Sequence, residues 1–180
     1  LNCGLGSCNT MGTASSVAMM VEVLGLTLSG TSTIPEGDDA RRQAAFDTGV
    51  AIVEMVKNDK KPSKILTDAA FRNAVRVLHA SGGSTNAIVH LLAIAGRVCS
   101  SLNIDSINEL GNGLAVIADV EPSGANMIQD FNAAGGVPAL MKKIEDKFAL
   151  VFFDGPHTNQ AVIDEMAYFM DKAPVGSMWV

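Results

Sequence analysis

Stretches in which apolar residues recur every three or four positions, each closed by a glycine- or proline-bearing break, constrain this chain more than any other feature. From Thr13 to Leu28, Val17, Met20, Val21 and Leu24 fall at helical spacing with Gly25 near the end. Ser29-Gly30-Thr31-Ser32-Thr33-Ile34-Pro35 is turn chemistry that stops this first helix. A second helix is predicted from Asp38 or Asp39 to Lys57, with Ala45, Val50, Val53 and Val56 among its apolar positions. Its acidic start suits the helix dipole, so the simplest role of Glu36, Asp38 and Asp39 is capping, not cation binding. Ser63 or Thr67 caps a third helix from about Asp68 to Ala80 with Phe71, Val75 and Leu78 as its stripe. After the break Ser81-Gly82-Gly83-Ser84-Thr85-Asn86, a fourth helix runs from Ala87 to about Cys99.

The remainder is shorter-ranged. Asp105–Leu110 reads as a short helix, Leu114–Val120 as a strand, and Pro122-Ser123-Gly124 as a turn. A helix opens at Ala134-Gly135-Gly136-Val137-Pro138 and runs through Lys147; Ala149–Phe153 is a second strand candidate, and the tail from His157 to Val180 is helical in its middle, with Trp179 as a packing residue. No repeat or linker interrupts the 180 residues, so a single unit over 1–180 is expected. Aromatic residues are 5% of the chain, which leaves Ala, Val, Ile, Leu and Met to build the core. Such packing suits helices laid on a parallel sheet. The expected fold class is therefore α/β, helix-rich with a small parallel sheet.

A formal net charge of −6 argues against a nucleic-acid surface, because phosphate binding needs clustered cations. The basic pairs Arg41-Arg42, Lys60-Lys61 and Lys142-Lys143 read as solvated positions. Ala87–Ala95, the most apolar run, is too short to cross a bilayer and carries His90, so no membrane partner is expected. Cys3, Cys8 and Cys99 form no disulfide framework and nothing resembles a signal peptide, which points to a reducing compartment: the cytoplasm, or a mitochondrion in a eukaryote.

Chemistry concentrates in two segments. In Gly6-Ser7-Cys8-Asn9-Thr10-Met11-Gly12-Thr13-Ala14-Ser15, a cysteine sits just before a helix start, where unpaired N–H groups lower a thiol's pKa and a thiolate can hold a metal. Cys3 and Cys99 are weaker candidates, because Cys-x4-Cys lacks the further Cys-x2-Cys of a ferredoxin-type site. On spacing alone a buried, inert thiol is the default for each. The second segment, Gly82-Gly83-Ser84-Thr85-Asn86, feeds a helix and reads either as a cradle for a polar ligand or as a tight connection whose glycines supply positive φ. His79 and His90, amid apolar residues, read as satisfied structural histidines. No nucleophile elbow, zinc-protease pattern or phosphate loop is present in the sequence.

Taken in order, these segments resemble the dihydroxy-acid, 6-phosphogluconate and sugar-acid dehydratase family over roughly Gly4 to Leu150. The resemblance is carried by Gly6 to Ser15, Glu22-Val23-Leu24-Gly25-Leu26, Ile65-Leu66-Thr67 with Ala70-Phe71 and Asn73-Ala74, Gly82 to Ala87 with His90 to Ala95, Pro122-Ser123-Gly124 and Ala134-Gly135-Gly136. Asn9 to Ser15 and Ile34-Pro35 through Arg41-Arg42 look closer to the sugar-acid enzymes than to the branched-chain biosynthetic ones. The resemblance implies a hydro-lyase that removes water from a 2,3-dihydroxy acid to give a 2-keto acid, using an iron–sulfur cluster (2Fe–2S in preference to 4Fe–4S) and magnesium. It implies part of the family's N-terminal domain, a small hydroxy-acid substrate and a homo-oligomer. Cys8 maps onto one of three cluster cysteines, and Gly82, Gly83, Ser84, Thr85 and Asn86 onto the substrate cavity.

The departures bear on activity. The other two cluster cysteines, the Asp and Lys of the magnesium site and the serine base fall in family segments outside this span, and no catalytic residue is assigned. Ser29-Gly30 stands where Pro-Gly is usual, and Asp68 and Arg72 differ from the common pattern. The expectation is a portion of a longer dehydratase or a truncated homologue, with a non-catalytic scaffold or self-associating remnant as the rival reading.

Overall fold

The computed structural model describes residues 8–98 and 100–145. Two compact units divide the chain, Leu1–Leu140 and Met141–Val180. The first carries the helices α1 (Thr13–Val23), α2 (Asp39–Lys57), α3 (Pro62–Ile65), α4 (Asp68–Ala80), α5 (Asn86–Arg97), α6 (Ile104–Gly111) and α7 (Ile128–Ala133), and α8 (Gly136–Glu145) runs from it into the second. The candidates Cys3, Cys99, His157 and Trp179, the strand expected at Ala149–Phe153 and the tail helix lie outside the described residues.

α4 is the central element. Thr67 caps it by accepting from the Ala70 N–H at 3.2 Å. Its stripe Phe71, Ala74, Val75 and Leu78 is buried against Met20 of α1 and Leu24 at its C-cap, Leu91 and Ala95 of α5, and Ile107 of α6. Packing of this amphipathic face, more than intrinsic propensity, holds the four helices together. At the same end of α4, Ser100 and Ser101 clasp Asp68: Ser100 Oγ donates at 2.5 Å, and the Ser101 N–H and hydroxyl each donate at 3.2 Å. The Ser100 hydroxyl, then the Ser101 N–H, hold the Asp68 carboxyl below the usual carboxylate range. His79 points its Nε2 at the Ile107 carbonyl, 3.2 Å away, and is a structural histidine.

The expected sheet is not there: among the described residues there is no strand, only one isolated bridge between Val120 and Asn126. The α/β expectation is therefore corrected to an all-helical arrangement for the described part. Leu114–Val120 has the composition of a strand but no partner. The Ile117 and Ala118 N–H groups both donate to the Ala80 carbonyl at the end of α4, at 2.7 and 3.0 Å. Asn126 N–H donates to the Asp119 carbonyl at 3.0 Å, closing a local turn. These bonds meet the backbone's needs without a ladder.

α1 ends at Val23, close to the Gly25 expected near its end. Gly25 takes φ +77°, and Leu26 N–H reaches back to the Val21 carbonyl at 3.0 Å, a Schellman termination. The following loop then folds back on the helix: buried Glu22 accepts from the Gly30 N–H at 2.6 Å and the Ser32 N–H at 2.9 Å.

α2 begins as expected, with the Asp38 carboxylate accepting from the Ala40 N–H at 2.9 Å. Its apolar positions then face solvent, and Ala44 is the one buried residue of its nineteen.

Candidate functional site

The segment that carries Cys8 is strapped down from several sides. Met11 N–H donates to the Glu121 carbonyl at 2.6 Å, and Ile128 N–H, at the start of α7, donates to the Asn9 carbonyl at 2.8 Å. Gln129 Nε2 donates to Asn9 Oδ1 at 3.0 Å, and Ser15 Oγ donates to the Thr10 carbonyl at 2.9 Å. The thiol itself is exposed, with Sγ 3.1 Å from Thr10 Oγ1. The Thr10 hydroxyl, followed by its backbone N–H, holds the Cys8 thiol below its ordinary pKa against a small opposing effect of burial. An exposed thiol poised toward the thiolate is the form that ligates soft metals or reacts.

The two segments singled out in the sequence meet across the first turn of α1. Ser84 N–H donates to the fully buried Ser16 Oγ at 2.8 Å, Thr13 Oγ1 lies 3.2 Å from Ser84 Oγ, and Asn86 Nδ2 donates to Thr13 Oγ1 at 3.1 Å. Both glycines of the turn are needed for this fit. Gly82 has φ +62°, and a Cβ there would run into Ser123, whose hydroxyl donates to the Gly82 carbonyl at 2.8 Å. A Cβ on Gly83 would come within 2.7 Å of Leu78 Cδ1 and 3.0 Å of Ser16 Oγ. Gly82, Gly83, Ser84, Thr85 and Asn86 thus brace the helix that follows Cys8.

On another side of Cys8 opens a cavity of about 410 Å³, walled by Cys8 and Asn9, by α1 through Ser15 and Ala18, by residues 31–36, and by Arg41, Ile128 and Gln129. Residues 82–86 are not among its walls. Thr33 Oγ1 closes the loop side onto α7 by donating to Asn132 Oδ1 at 2.9 Å. Arg41, read from the sequence as solvated, turns inward. Its Nη1 donates to the Thr31 carbonyl at 3.1 Å, its Nη2 to the Ile34 carbonyl at 2.6 Å, and its Nε lies 3.7 Å from Glu36 Oε1. Arg42 alone is solvated, with 86% of its side chain exposed.

Three buried polar atoms of this cavity's residues have no hydrogen-bond partner: Ser32 Oγ, Arg41 Nε and Gln129 Oε1. Unsatisfied buried polar atoms are uncommon in folded proteins, and of these three Arg41 Nε has the Glu36 carboxylate 3.7 Å away as an ion-pair partner. Sequence reading missed Ser32, Arg41 and Gln129. One signal was available for Arg41: a cation in the first turn of α2 opposes the helix dipole, so a specific partner was to be expected.

Among the described residues no three His, Cys, Asp or Glu side chains converge where a metal ion could sit. Cys8 fits one corner of an iron–sulfur cluster, since its thiol is exposed and biased toward thiolate. The described residues provide no carboxylate set that fits magnesium. No helix among them is long and apolar enough to cross a membrane.

Residues 2–164 match the family described as dihydroxy-acid/6-phosphogluconate dehydratase N-terminal. The chain is 50% identical to an L-arabinonate dehydratase of Rhizobium leguminosarum bv. trifolii, over 77% of this chain and 24% of that protein. It is 42% identical to a dihydroxy-acid dehydratase of Picrophilus torridus, over 79% of this chain and 26% of that one. A 6-deoxy-6-sulfo-D-gluconate dehydratase of Pseudomonas putida is 43% identical over 78% of this chain and 24% of its own length. The chain thus spans about a quarter of the length of these relatives. On the extent of the family match, the chain belongs to the dihydroxy-acid/6-phosphogluconate dehydratase family.

Proposed function

We propose that this chain forms part of the active site of a hydro-lyase that converts a 2,3-dihydroxy acid or sugar acid to a 2-keto acid. The observation that carries this reading is the cavity beside Cys8, with its thiol at the rim and Ser32, Arg41 and Gln129 among the residues that wall it. About 410 Å³ accommodates a small polyhydroxy acid, and the lining residues carry hydroxyl, amide and guanidinium groups of the kinds that bind a carboxylate and hydroxyls. Arg41, pinned to the Thr31 and Ile34 carbonyls, is already oriented before any ligand arrives. The relatives' names support substrates of this class, and the 50% identity to an L-arabinonate dehydratase favours a sugar acid over a branched-chain acid.

In this reading Cys8 is one ligand of an iron–sulfur cluster. When bound, such a group supplies a Lewis-acid iron for a departing hydroxyl. The chain's own part is to place the sulfur: the Glu121 and α7 straps hold its backbone, and the Thr10 hydroxyl and N–H lower its pKa. The remaining cluster ligands, the magnesium site and the base come from segments of the longer family members that this chain does not span. Gly82, Gly83, Ser84, Thr85 and Asn86 enter as the support that seats α1. An exposed free thiol suits a reducing compartment, and we place the protein in the cytoplasm. The lone thiolate also favours a second reading, a non-catalytic scaffold that keeps the fold without the chemistry.

Anaerobic reconstitution with iron and sulfide, followed by absorption spectra and a keto-acid assay on pentonates and 2,3-dihydroxy-3-methylbutanoate, separates the two. Cluster absorption that Cys8→Ser abolishes supports the ligand role, and turnover excludes the scaffold. A chain that takes up no cluster, or takes it up equally with Cys8→Ser, overturns the cluster-ligand reading for Cys8.

A further inference from the structure

A second cavity, of about 280 Å³, shares no wall residue with the one beside Cys8; it lies between the start of α4, residues 100–102 and α6. Asp68 and Arg72, the two α4 residues that depart from the family's common pattern, both line it.

Asp68 precedes Arg72 by four residues, a spacing at which a carboxylate and a guanidinium ordinarily pair along a helix. Here they do not. The Asp68 oxygens are taken by the Ser100 hydroxyl and by the N–H and hydroxyl of Ser101. No carboxylate among the described residues lies within ion-pair distance of Arg72. Arg76, one turn further along α4, is held below the ordinary guanidinium pKa by burial and then by Arg72, so positive charge accumulates on this side of the helix. Glu109 of α6 lines the same cavity, and it too has no ion pair among the described residues. Opposite charges thus share one cavity without closing on each other. Leu102 and Leu110, partly buried against the core, add an apolar stretch to its wall. The frame is fixed beforehand: Asn103 and Ser106 form a capping box at the start of α6, with bonds of 2.9 and 3.0 Å, and the Asp68 clasp ties residues 100 and 101 to α4.

Such a cavity is complementary to a molecule that carries both charges and a short apolar chain, and its volume lies just below that of sites for drug-sized ligands. We propose that it binds a free α-amino acid with an apolar side chain, the carboxylate on Arg72, the ammonium on Glu109 and the side chain along Leu102 and Leu110. An α-amino acid holds its two charges on one carbon, and a guanidinium takes a carboxylate through two parallel N–H···O bonds. The inference is independent of the chemistry at Cys8.

Titration of the 180-residue chain with L-norvaline, read by calorimetry and by amide shifts, tests it. Half-saturation is expected at about 1 mM, in keeping with so small a ligand in an open cavity, with shifts at Leu102, Ser106 and Leu110. Pentanoate lacks the ammonium and butylamine the carboxylate, and each is expected to bind about tenfold more weakly. Arg72→Gln and Glu109→Gln should each weaken norvaline about tenfold. Both side chains are exposed, so thermal melts of the variants should keep the parent transition. Absence of shifts at those three amides up to about 50 mM norvaline overturns the proposal. Pentanoate or butylamine binding as tightly as norvaline, or an affinity unmoved by Arg72→Gln, overturns it equally.

Discussion

Glu22 is the residue whose replacement most directly tests how the cavity wall is held. It lies in the last turn of α1, 7% exposed, where the helix dipole disfavours a carboxylate. Two backbone donors compensate, Gly30 N–H on Oε1 at 2.6 Å and Ser32 N–H on Oε2 at 2.9 Å, and together they fold the loop that carries residues 31–36 back over the cavity. Glu22→Gln keeps the shape but offers one acceptor where two are needed, and turns an amide N–H toward a backbone N–H. Hydrogen bonds to a charged group contribute about 1.5–3 kcal/mol each, so the change forfeits about 3 kcal/mol gross; relief of the dipole and desolvation costs returns about 1. The net expectation is a loss of about 2 kcal/mol, or about 6 °C in Tm for a chain of this size. Urea unfolding at an unchanged m-value measures the loss, and amide exchange should quicken at Gly30 and Ser32 while α4 stays protected. A variant within about 0.5 kcal/mol of the parent protein would show that the carboxylate does not hold the loop.

Two further substitutions probe the thiol and its support. The Thr10 hydroxyl is the leading cause of the low Cys8 pKa, so alkylation of Cys8, resolved by peptide mass, should turn on with rising pH below the ordinary thiol range. Thr10→Val should move that midpoint upward and slow the reaction at neutral pH; an unmoved midpoint refutes the assignment. Ser16→Ala should cost about 1–2 kcal/mol by leaving the Ser84 N–H without its 2.8 Å acceptor, and faster exchange at that amide distinguishes this cause from a general loss of packing.

What could be read from the sequence followed the range over which each signal acts. α4 was legible end to end, because Thr67 marks its start and Phe71, Val75 and Leu78 mark one face. The start of α2 was equally plain at Asp38. The end of α1 was legible at Gly25 although Leu26 and Leu28 continue the apolar pattern, and the reach of Glu22 to Ser32, which no local signal shows, secures it. Leu114–Val120 reads as a strand in isolation, but a strand requires a partner, and its N–H groups found the Ala80 carbonyl instead. The site divides along the same line. Cys8 and Gly82 to Asn86 were visible as motifs, whereas their junction at Thr13, Ser16 and Ser84 depends on packing between residues about seventy apart. The inward turn of Arg41 depends likewise on where residues 31–34 come to lie.

The contacts around Cys8 order the steps by which such a site is built. The thiol is exposed, and beside the local bonds from Thr10 and Ser15 its position is held from distant sequence: Glu121 and Ile128 hold the backbone on either side of Thr10, and Ser84 seats the helix that follows. Constraints of this kind fix where a ligand atom sits before anything binds, so the ordering cost is met during folding and does not fall on cofactor or substrate. The cavity wall shows the same pattern, since Arg41 is fixed by the Thr31 and Ile34 carbonyls and its Nε lies 3.7 Å from the Glu36 carboxylate. Cys8 is held in the same way, with its backbone fixed and its sulfur exposed. The described residues therefore hold a thiol of lowered pKa and a guanidinium on the walls of one cavity, each fixed through its backbone or its own hydrogen bonds before anything binds.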